Sequence, residues 1–450
     1  MNLIYGVKDK PKFGQTLVFA FQQLLAILAA TIAVPTIVQN GMSSSAALFG
    51  AGVGTIVYLL FTKFRSPVFL GSSFAFIGSM LSAFAGATSA ALGYVGIILG
   101  AVFAGLVYVL LAVIVKFAGV KWINKLMPAV VIGPTVSIIG LSLAGNAIGD
   151  LQKGNVTHMV GEVAVQSASV YLCILCGLVT LATVIICSVF GKKMAKMIPF
   201  IIGIVAGYGL AAIFTLIGNL TDTAALQIIN FSAFKDMQWY PDFTFIEASK
   251  GVKSINGAYI ATVAAAYIPV AFVVFAEHIA DHKNLSSIIG QDLLEDPGLS
   301  RTLLGDGIGS MAGAFFGGCP NTTYGESAGC VAISGNASVV TILTTAIMAI
   351  VISFFAPFVT FLSTIPSCVM GGVCIALYGF IAVSGLKMLQ PVDLNDNRNL
   401  FVASTILITG IGGLSLSIGK VTITTVACAL ILGILVNLLT NGKRKDKDAK

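Results

Sequence analysis

Apolar runs of about 20 residues recur along almost the whole chain, separated by short polar breaks. A helix of this length crosses the hydrocarbon core of a bilayer, and it satisfies its own backbone hydrogen bonds where no water is present. The composition agrees with this pattern, because 57% of the 450 residues are hydrophobic and only 10% are charged. The chain is therefore predicted to be an all-α polytopic membrane protein with about fourteen transmembrane segments.

Two of the predicted segments are interrupted. Residues 66–76 combine a proline with a Gly-Ser-Ser turn, and residues 317–329 read Gly-Gly-Cys-Pro-Asn-Thr-Thr-Tyr-Gly-Glu-Ser-Ala-Gly. Each pattern predicts a short strand that leads into a half-helix inside the membrane. Irregular backbone at that depth is tolerated only where it is buried in protein or lines a cavity. We therefore expect the interrupted segments to form the substrate site of a transporter.

The order of the segments also indicates an internal repeat. About seven predicted segments precede the polar loop of residues 218–256, and about seven follow it, the last long runs beginning with residues 339–362. The interrupted segments hold the third position of each half, and Pro128 and Pro366 open later spans with Val and Gly at the same spacing. An odd number of spans per copy places the copies in opposite orientations. This order predicts two inverted 7-segment repeats, the plan of secondary transporters.

Basic residues mark every second predicted loop. By the positive-inside rule, this alternation predicts an even number of spans, with both termini in the cytoplasm. We expect the protein to lie in the plasma membrane. The net charge of +7 is spread over these loops, so it does not indicate a nucleic-acid partner. The basic loop and tail residues are Lys8, Lys10, Lys12, Lys63, Arg65, Lys116, Lys121, Lys125, Lys192, Lys193, Lys196, Lys443, Arg444, Lys445 and Lys447.

Acidic residues within the predicted spans are the candidate functional groups. Glu277 and Asp281 are one turn apart on one helical face, so they repel unless at least one is protonated or paired, which suits a proton carrier. An alternative places Asp281 in solvent at the end of its span. Asp306 allows two interpretations: it has a functional role, or it forms a structural hydrogen bond between helices. His278 lies about a quarter-turn from Glu277, where it can satisfy a neighbouring group.

The start of the second half-helix offers a different chemistry. Glu326 lies where free backbone N–H groups and the positive end of the helix dipole can bind acceptor atoms of a ligand. Phe74, from the other half-helix, can provide a stacking face for a flat ring, although a single Phe is more often a packing residue.

Enzymatic chemistry needs groups that are missing around the acidic residues of the predicted spans and half-helices. A membrane-embedded enzyme would need a nucleophile, a metal cluster or a phosphate-binding basic group near its carboxylates. The eight cysteines lie mostly in apolar runs without paired metal spacing, so they indicate neither a metal site nor disulfides. We expect a transporter without a metal or cofactor and not an enzyme.

Four stretches resemble the nucleobase/ascorbate transporter family (nucleobase:cation symporter 2), and most closely its bacterial uracil permeases. The last stretch is the most specific, and the likeness covers nearly the whole chain. The stretches are Gln-Gln-Leu-Leu-Ala-Ile-Leu-Ala-Ala-Thr at 22–31, Gly-Ser-Ser-Phe-Ala-Phe-Ile at 71–77, Ala-Glu-His-Ile at 276–279 and Pro-Asn-Thr-Thr-Tyr-Gly-Glu at 320–326.

The resemblance implies a fourteen-helix inverted repeat, usually a homodimer, in which a core domain binds substrate and moves against a gate domain. It implies the following parts in chain order: a cytoplasmic tail (1–12), core spans 1–4 (13–117), gate spans 5–7 (118–218), an extracellular loop (219–256), core spans 8–11 (257–363), gate spans 12–14 (364–440) and a basic cytoplasmic tail (441–450).

The resemblance also implies roles for individual residues in uracil import by proton symport. Glu277 resembles the family's substrate-binding and proton-linked Glu, and Glu326 resembles its second uracil-binding Glu. Phe74 would contact the ring, Tyr324 and Gly325 would offer backbone donors, and Ala30 would line the pocket. The proton-coupling candidates are Glu277, Asp281 and Asp306.

The chain departs from the family pattern in three places. Gln22-Gln23 replaces the common Gln-His pair, and residues 326–329 read Glu-Ser-Ala-Gly instead of Glu-Asn-Ile-Gly. Asp281 stands where some uracil permeases have His, which together with Asp306 looks more like the purine branch. The alternatives are therefore a xanthine or other purine symporter driven by protons or sodium, or an anion exchanger or channel of the same architecture. The lack of a basic residue in the half-helix region argues against anion transport.

Overall fold

The computed structural model of the chain describes residues 3–119, 128–160, 163–192, 195, 198–235, 237, 239–418 and 421–441. Within these ranges, 8 helices are long and apolar enough to cross a membrane, or 9 if one bent pair counts as a span. The prediction of an all-α polytopic membrane protein is confirmed, while the number fourteen stays a prediction. The basic tail and the loop lysines Lys121, Lys125, Lys193 and Lys196 lie outside the described residues.

The first half contains eight helices and three short strands within the described residues. In chain order these are α1 (Phe13–Val38), α2 (Ser44–Phe61), β1 (Leu70–Ser72), α3 (Ile77–Ala85, preceded by a 3-10 turn at Phe74–Phe76), α4 (Ala90–Ala118), α5 (Ala129–Ser142), α6 (Ala144–Asp150), β2 (Thr157–Val160), β3 (Val163–Gln166), α7 (Val170–Phe190) and α8 (Pro199–Leu220).

The connecting loop and the second half contain nine further helices and three strands among the described residues. These are α9 (Thr244–Gly251), α10 (Gly257–Ile289), α11 (Leu299–Gly317), β4 (Asn321–Thr323), α12 (Gly325–Ser334), α13 (Val339–Ile352), α14 (Ala356–Thr364), α15 (Ser367–Met388), α16 (Asn397–Ile411), β5 (Leu416–Ile418), β6 (Val421–Ile423) and α17 (Thr425–Asn441).

Helix α10 is longer than the apolar run that predicts it. Asn256 caps its first turn by accepting a hydrogen bond from the Tyr259 N–H at 2.9 Å, and Gly290 ends it in the left-handed region at φ 70°. The 33 residues between these signals form a helix of about 50 Å. Asp281 therefore lies two turns inside the helix and not at its end.

The two interrupted segments meet at the centre of the fold. Strands β1 and β4 pair antiparallel, with Leu70 opposite Thr323 and Ser72 opposite Asn321. Each strand leads directly into a short helix, so the prediction of two half-helices preceded by strands is confirmed. Because the strands are antiparallel, α3 and α12 leave the pair at opposite ends.

Glycines let helices α2 and α11 pack closely behind this strand pair. A Cβ atom on Gly50 would lie 2.5 Å from the Gly313 carbonyl oxygen, and one on Gly309 would lie 2.7 Å from that of Gly54. Such close approach of backbones is typical of small residues at helix interfaces in membranes. The Asn321 side chain fits into the same cleft and donates to the Gly50 carbonyl oxygen at 2.9 Å, which anchors β4 to α2.

Prolines mark where several helices around the strand pair begin or are interrupted. Pro128 and Pro366 directly precede α5 and α15, which pack against each other. The run of residues 339–362 does not form the single span expected from its apolarity. It divides into α13 and α14, bent by 83°, with Phe355 extended between them at ψ 91°. Pro357 fits the first turn of α14, but it has no N–H and its ring would clash with the preceding turn if α13 continued.

The segment before the first span is also structured. Residues 3–9, predicted to belong to a tail, run beside the chain that follows α12. The Ile4 N–H donates to the Gly335 carbonyl oxygen at 2.7 Å, and the Ala337 N–H donates to that of Tyr5 at 2.9 Å. We call residues 3–9 the N-terminal strap, because it connects the end of one half-helix to the start of α13.

Candidate functional site

A cavity of about 370 Å³ lies between the two half-helices, helix α10 and helices α5, α8 and α15, and its volume is typical of a small-molecule site. Most of its lining comes from two walls, one built by the interrupted segments and α10, the other by the three facing helices. The lining residues are Ser73, Phe74, Ala75, Ile139, Phe200, Glu277, Asp281, Thr322, Thr323, Tyr324, Gly325, Glu326, Phe380, Ile381, Ser384 and Met388.

Six of the eight residues singled out from the sequence line this one cavity: Phe74, Glu277, Asp281, Tyr324, Gly325 and Glu326. They come from three elements that are far apart in the chain, and the pairing of β1 with β4 brings them together. Ala30 and Asp306 are not among the lining residues.

Glu277 and Asp281 present two carboxylates from successive turns of α10. Both residues line the cavity and are partly exposed to it. Asp281 Oδ2 accepts a hydrogen bond of 2.6 Å from the Thr323 hydroxyl, which ties α10 to β4 at the floor of the site. The alternative in which Asp281 lies in solvent at a helix end is therefore wrong.

Glu326 lies in the first turn of α12, one residue after Gly325. Gly325 is exposed to the cavity, and a side chain there would meet no atom within 4 Å, so the start of the helix is open to a ligand. The preceding Tyr324 is buried, and its hydroxyl donates to the Ser72 carbonyl oxygen at 2.8 Å. This bond holds the helix start against the opposite half-helix.

Phe74 opens the other half-helix at the edge of the cavity. Its ring is partly exposed and packs edge-on against Tyr378, with the ring centroids 6.0 Å apart. Tyr378 belongs to α15, so Phe74 forms one of the contacts between the two walls. A ring held in this way can also offer its free face to a flat ligand.

The facing wall was not found from the sequence. It is almost wholly apolar, and Ser384 is its single polar lining residue. Its apolar lining residues are Ile139, Phe200, Phe380, Ile381 and Met388. These side chains look like ordinary packing residues of apolar spans, and only the fold shows that they line a cavity.

Ala30 occupies a different place from the one expected. It is 1% exposed and belongs to a buried apolar cluster with Tyr324 and Ala328. It therefore supports the start of the half-helix through packing, because α1 contacts α12 and Ala30 is not among the lining residues.

Asp306 also lies behind the site. Its Oδ2 atom is 2.7 Å from Nδ1 of His278, and the two side chains are 1% and 0% exposed. His278 belongs to α10, next to Glu277 in the chain but buried, so this carboxylate is bonded to the helix that carries Glu277. Asp306 also borders a separate small cavity with Asn321 and Thr322 of β4.

The cavity can bind a flat polar molecule without a metal. Carboxylates accept hydrogen bonds from ring N–H groups, and the open start of α12 donates to ring carbonyl oxygens. Among the described residues, no group of three or more His, Cys, Asp or Glu is placed to hold a metal ion.

Comparisons with known proteins match nearly the whole chain. The model of the Permease family that includes xanthine and uracil permeases matches residues 14–418. The uracil permease of Bacillus caldolyticus is 40% identical over 444 residues, covering 98% of this chain and 95% of that protein. The uracil permease of Escherichia coli (strain K12) is 33% identical, covering 96% of this chain and 93% of that protein.

Two solved structures show the same fold at low identity. The transmembrane domain of the cyanobacterial bicarbonate transporter BicA matches with a TM-score of 0.61 and 14% identity, covering 96% of this chain and 99% of that one. SLC26A9 matches with a TM-score of 0.65 and 10% identity, covering 95% of this chain and 64% of that one. With a family model that spans most of its length and permease relatives above 30% identity, the chain belongs to the nucleobase/ascorbate transporter family of membrane permeases.

Proposed function

We propose that the protein imports uracil together with protons by alternating access between a core and a gate domain. The observation that carries the proposal is that Glu277 and Glu326, from separate elements, line one cavity with Phe74 at its edge. The names of the full-length relatives, uracil permeases in several bacteria, support uracil as the substrate.

Uracil fits the chemistry of this cavity. Its ring carries two N–H donors and two carbonyl acceptors, and it is flat. Glu277 and Glu326 accept from the ring N–H groups, while the backbone at Tyr324 and Gly325 donates to a carbonyl oxygen. Phe74 contacts the face of the ring.

The proton is carried by the α10 carboxylates. Protonation of Glu277 removes its repulsion with Asp281 one turn away, and it changes the hydrogen bonds that Glu277 offers to the substrate. Binding favours one conformation only through such differential contacts, so substrate and proton together stabilise the state that moves past the gate.

The cavity opens to the cytoplasm, with both termini on that side. Phe200 is the second residue of α8, which follows the basic stretch at 192–196, and Met388 adjoins Lys387 at the end of α15. Positively charged loops favour the cytoplasmic side of a membrane. The described conformation is thus inward-facing, and we propose that the transporter works as a homodimer.

Uptake into proteoliposomes tests this function. Labelled uracil is offered to vesicles with an imposed pH gradient, with a sodium gradient, or with neither. We expect accumulation with the pH gradient alone. Accumulation driven by sodium and not by protons would refute the proposed coupling, and absence of uracil uptake under any gradient would refute the substrate.

A purine is the second candidate because Asp281, which resembles the purine branch, lies on the cavity and bonds to Thr323. Competition separates the two candidates. Unlabelled xanthine should displace labelled uracil poorly, and displacement at concentrations comparable to those of unlabelled uracil would favour the purine alternative. Transport of small anions has less support, because no lysine or arginine is among the lining residues that the structure describes.

A further inference from the structure

The His278–Asp306 pair lies outside the substrate cavity, and its hydrogen bonds determine how many protons it holds. His278 Nδ1 and Asp306 Oδ2 are 2.7 Å apart, and both side chains are fully buried between α10 and α11. A distance this short between two heavy atoms requires one shared hydrogen.

The other ring nitrogen is oriented by Thr302. His278 Nε2 is 3.0 Å from the Thr302 hydroxyl oxygen, and that hydroxyl donates to the Leu299 carbonyl oxygen at 3.0 Å. A hydroxyl has one hydrogen to donate, so Thr302 accepts from the ring and Nε2 carries a proton. With Nε2 protonated, Nδ1 and Asp306 hold one further proton between them.

The pair is electrically neutral in either arrangement of that proton. The proton on Nδ1 gives an imidazolium and a carboxylate, and the proton on Oδ2 gives a neutral ring and a carboxylic acid. If Thr302 turned its hydroxyl toward Nε2 instead, Asp306 would be a buried carboxylate without a balancing charge. Its Oδ1 atom has no hydrogen-bond partner among the described residues, which makes such a charge especially costly.

The described titratable groups around the pair contact it through ring packing or the backbone and do not bond to its side chains. His282 stacks on His278 at 4.0 Å, its Nδ1 donates to the His278 carbonyl oxygen at 2.8 Å, and its Nε2 is 2.7 Å from the Tyr58 hydroxyl of α2. The Tyr108 ring of α4 meets His278 edge-on at 6.1 Å.

The remaining acidic groups of α10, Glu277 and Asp281, line the cavity, whereas both histidines are fully buried. Among the described residues, no other titratable side chain thus hydrogen-bonds to the His278 ring or to the Asp306 carboxylate, while Glu277 and Asp281 lie on the cavity.

We propose that His278 and Asp306 keep their shared proton throughout transport and act as positioning residues, which fix the rotation of α10 so that Glu277 and Asp281 face the cavity. The proposal rests on the proposed function, and it assigns the transported proton to the two cavity carboxylates. Asp306 then contributes to proton coupling only through the placement of Glu277.

Substitution by Asn separates positioning from proton transfer. In Asp306→Asn the amide N–H can donate to Nδ1 of a neutral His278 while Nε2 still donates to Thr302, and nothing at position 306 can ionise. Asp306→Ala removes the bond and leaves Nδ1 without a partner. Asp281→Asn makes the same chemical change on the cavity and serves as the matched comparison.

The readouts are the KM for uracil, its pH profile, and accumulation driven by a pH gradient in proteoliposomes with equal amounts of protein. We expect Asp306→Asn to keep KM, pH profile and accumulation within about threefold of the parent, and Asp306→Ala to raise KM about tenfold or more. Asp281→Asn should shift the pH profile and reduce accumulation.

Asp306→Asn decides the proposal even if Asp306→Ala does not insert. If Asp306→Asn still exchanges uracil but no longer accumulates it, or if its pH profile shifts as in Asp281→Asn, Asp306 carries the transported proton and the proposal is wrong. Failure of the parent protein to take up uracil would instead refute the proposed function.

Discussion

The two walls of the cavity differ in chemistry and in how they are held. The wall built from the half-helices and α10 contains the three lining carboxylates, the threonines of β4 and an open helix start. The wall built from α5, α8 and α15 contains Ile, Phe and Met side chains and a single serine. Directional groups that can recognise a substrate are thus concentrated on one side, with Ser384 as the exception.

The polar wall is also internally bonded. Thr323 donates to Asp281, Tyr324 donates to the Ser72 carbonyl oxygen, and Asn321 donates to that of Gly50. Apolar contact is not directional, so the facing wall can slide without breaking specific bonds. Under the proposed function, we expect the polar wall to recognise the substrate as a rigid unit and the apolar wall to cover and uncover it.

The largest effect is expected on the polar wall. Glu277→Gln and Glu326→Ala each remove a charged acceptor, and hydrogen bonds to charged groups contribute about 1.5–3 kcal/mol. We expect each variant to lose uracil uptake by at least about 100-fold while inserting normally, because uptake also needs the substrate-dependent movement. Initial uptake rates at equal protein amounts in the membrane measure the loss.

Glu247→Gln is the matched control, because Glu247 is an exposed carboxylate on α9 that pairs with Lys250. Uptake by this variant should equal that of the parent. Wild-type uptake by either cavity variant would contradict the assignment of recognition to the polar wall.

The second effect tests the rigidity of the polar wall. A Cβ atom on Gly71 would collide with the Tyr324 ring, so Gly71→Ala should displace the start of α12. Overpacking of this kind costs about 1–3 kcal/mol, and we expect a lower melting temperature together with weaker uracil binding. A thermal-shift measurement with and without uracil records both effects.

Gly78→Ala, in the half-helix that follows β1, is its control, because an added Cβ there would meet no atom within 4 Å. It should leave melting and binding unchanged or slightly raise stability. Equal behaviour of the two alanine variants would show that the wall is not held as described.

A smaller effect is expected on the apolar wall. Ile381→Val removes one methylene from the lining, and such a change costs about 0.5–1.5 kcal/mol. KM for uracil should rise by less than about tenfold, and the preference for uracil over xanthine should not change. Competition uptake measures both quantities. A reversal of the preference would place recognition on this wall as well.

The smallest effect is expected at the N-terminal strap. Deletion of residues 1–7 removes the backbone bonds of Ile4 and Tyr5 to the chain after α12, each contributing about 0.5–1.5 kcal/mol. The melting temperature should fall by a few degrees, while uptake at the growth temperature is retained. Loss of uptake with an unchanged melting temperature would show that the strap has a role in the conformational change of transport.

The paired strands, the two half-helices and the carboxylates beside them were predictable because local sequence signals agree with the fold. Clusters of proline, glycine and polar residues inside apolar runs interrupt a helix, so they indicated both strands and both half-helices. Glu277, Asp281 and Glu326 stood out because charge is rare at that depth. The spacing of Glu277 and Asp281 then placed them on one face of α10.

Other features depend on contacts between distant elements. The apolar wall residues Ile139 and Phe380 have the composition of any buried span. Ala30 resembles a lining residue by motif, but the packing of α1 places it behind α12. The bond of His278 to Asp306 follows from the crossing of α10 and α11, which periodicity within one helix does not define.

The most direct test of the account is the internal pH of proteoliposomes when uracil is added outside. A trapped pH-sensitive dye should report acidification that depends on uracil and is absent with Glu277→Gln, since protons enter with the substrate. Uptake of labelled uracil without acidification, or undiminished acidification in Glu277→Gln, would contradict the claim that Glu277 couples uracil import to protons.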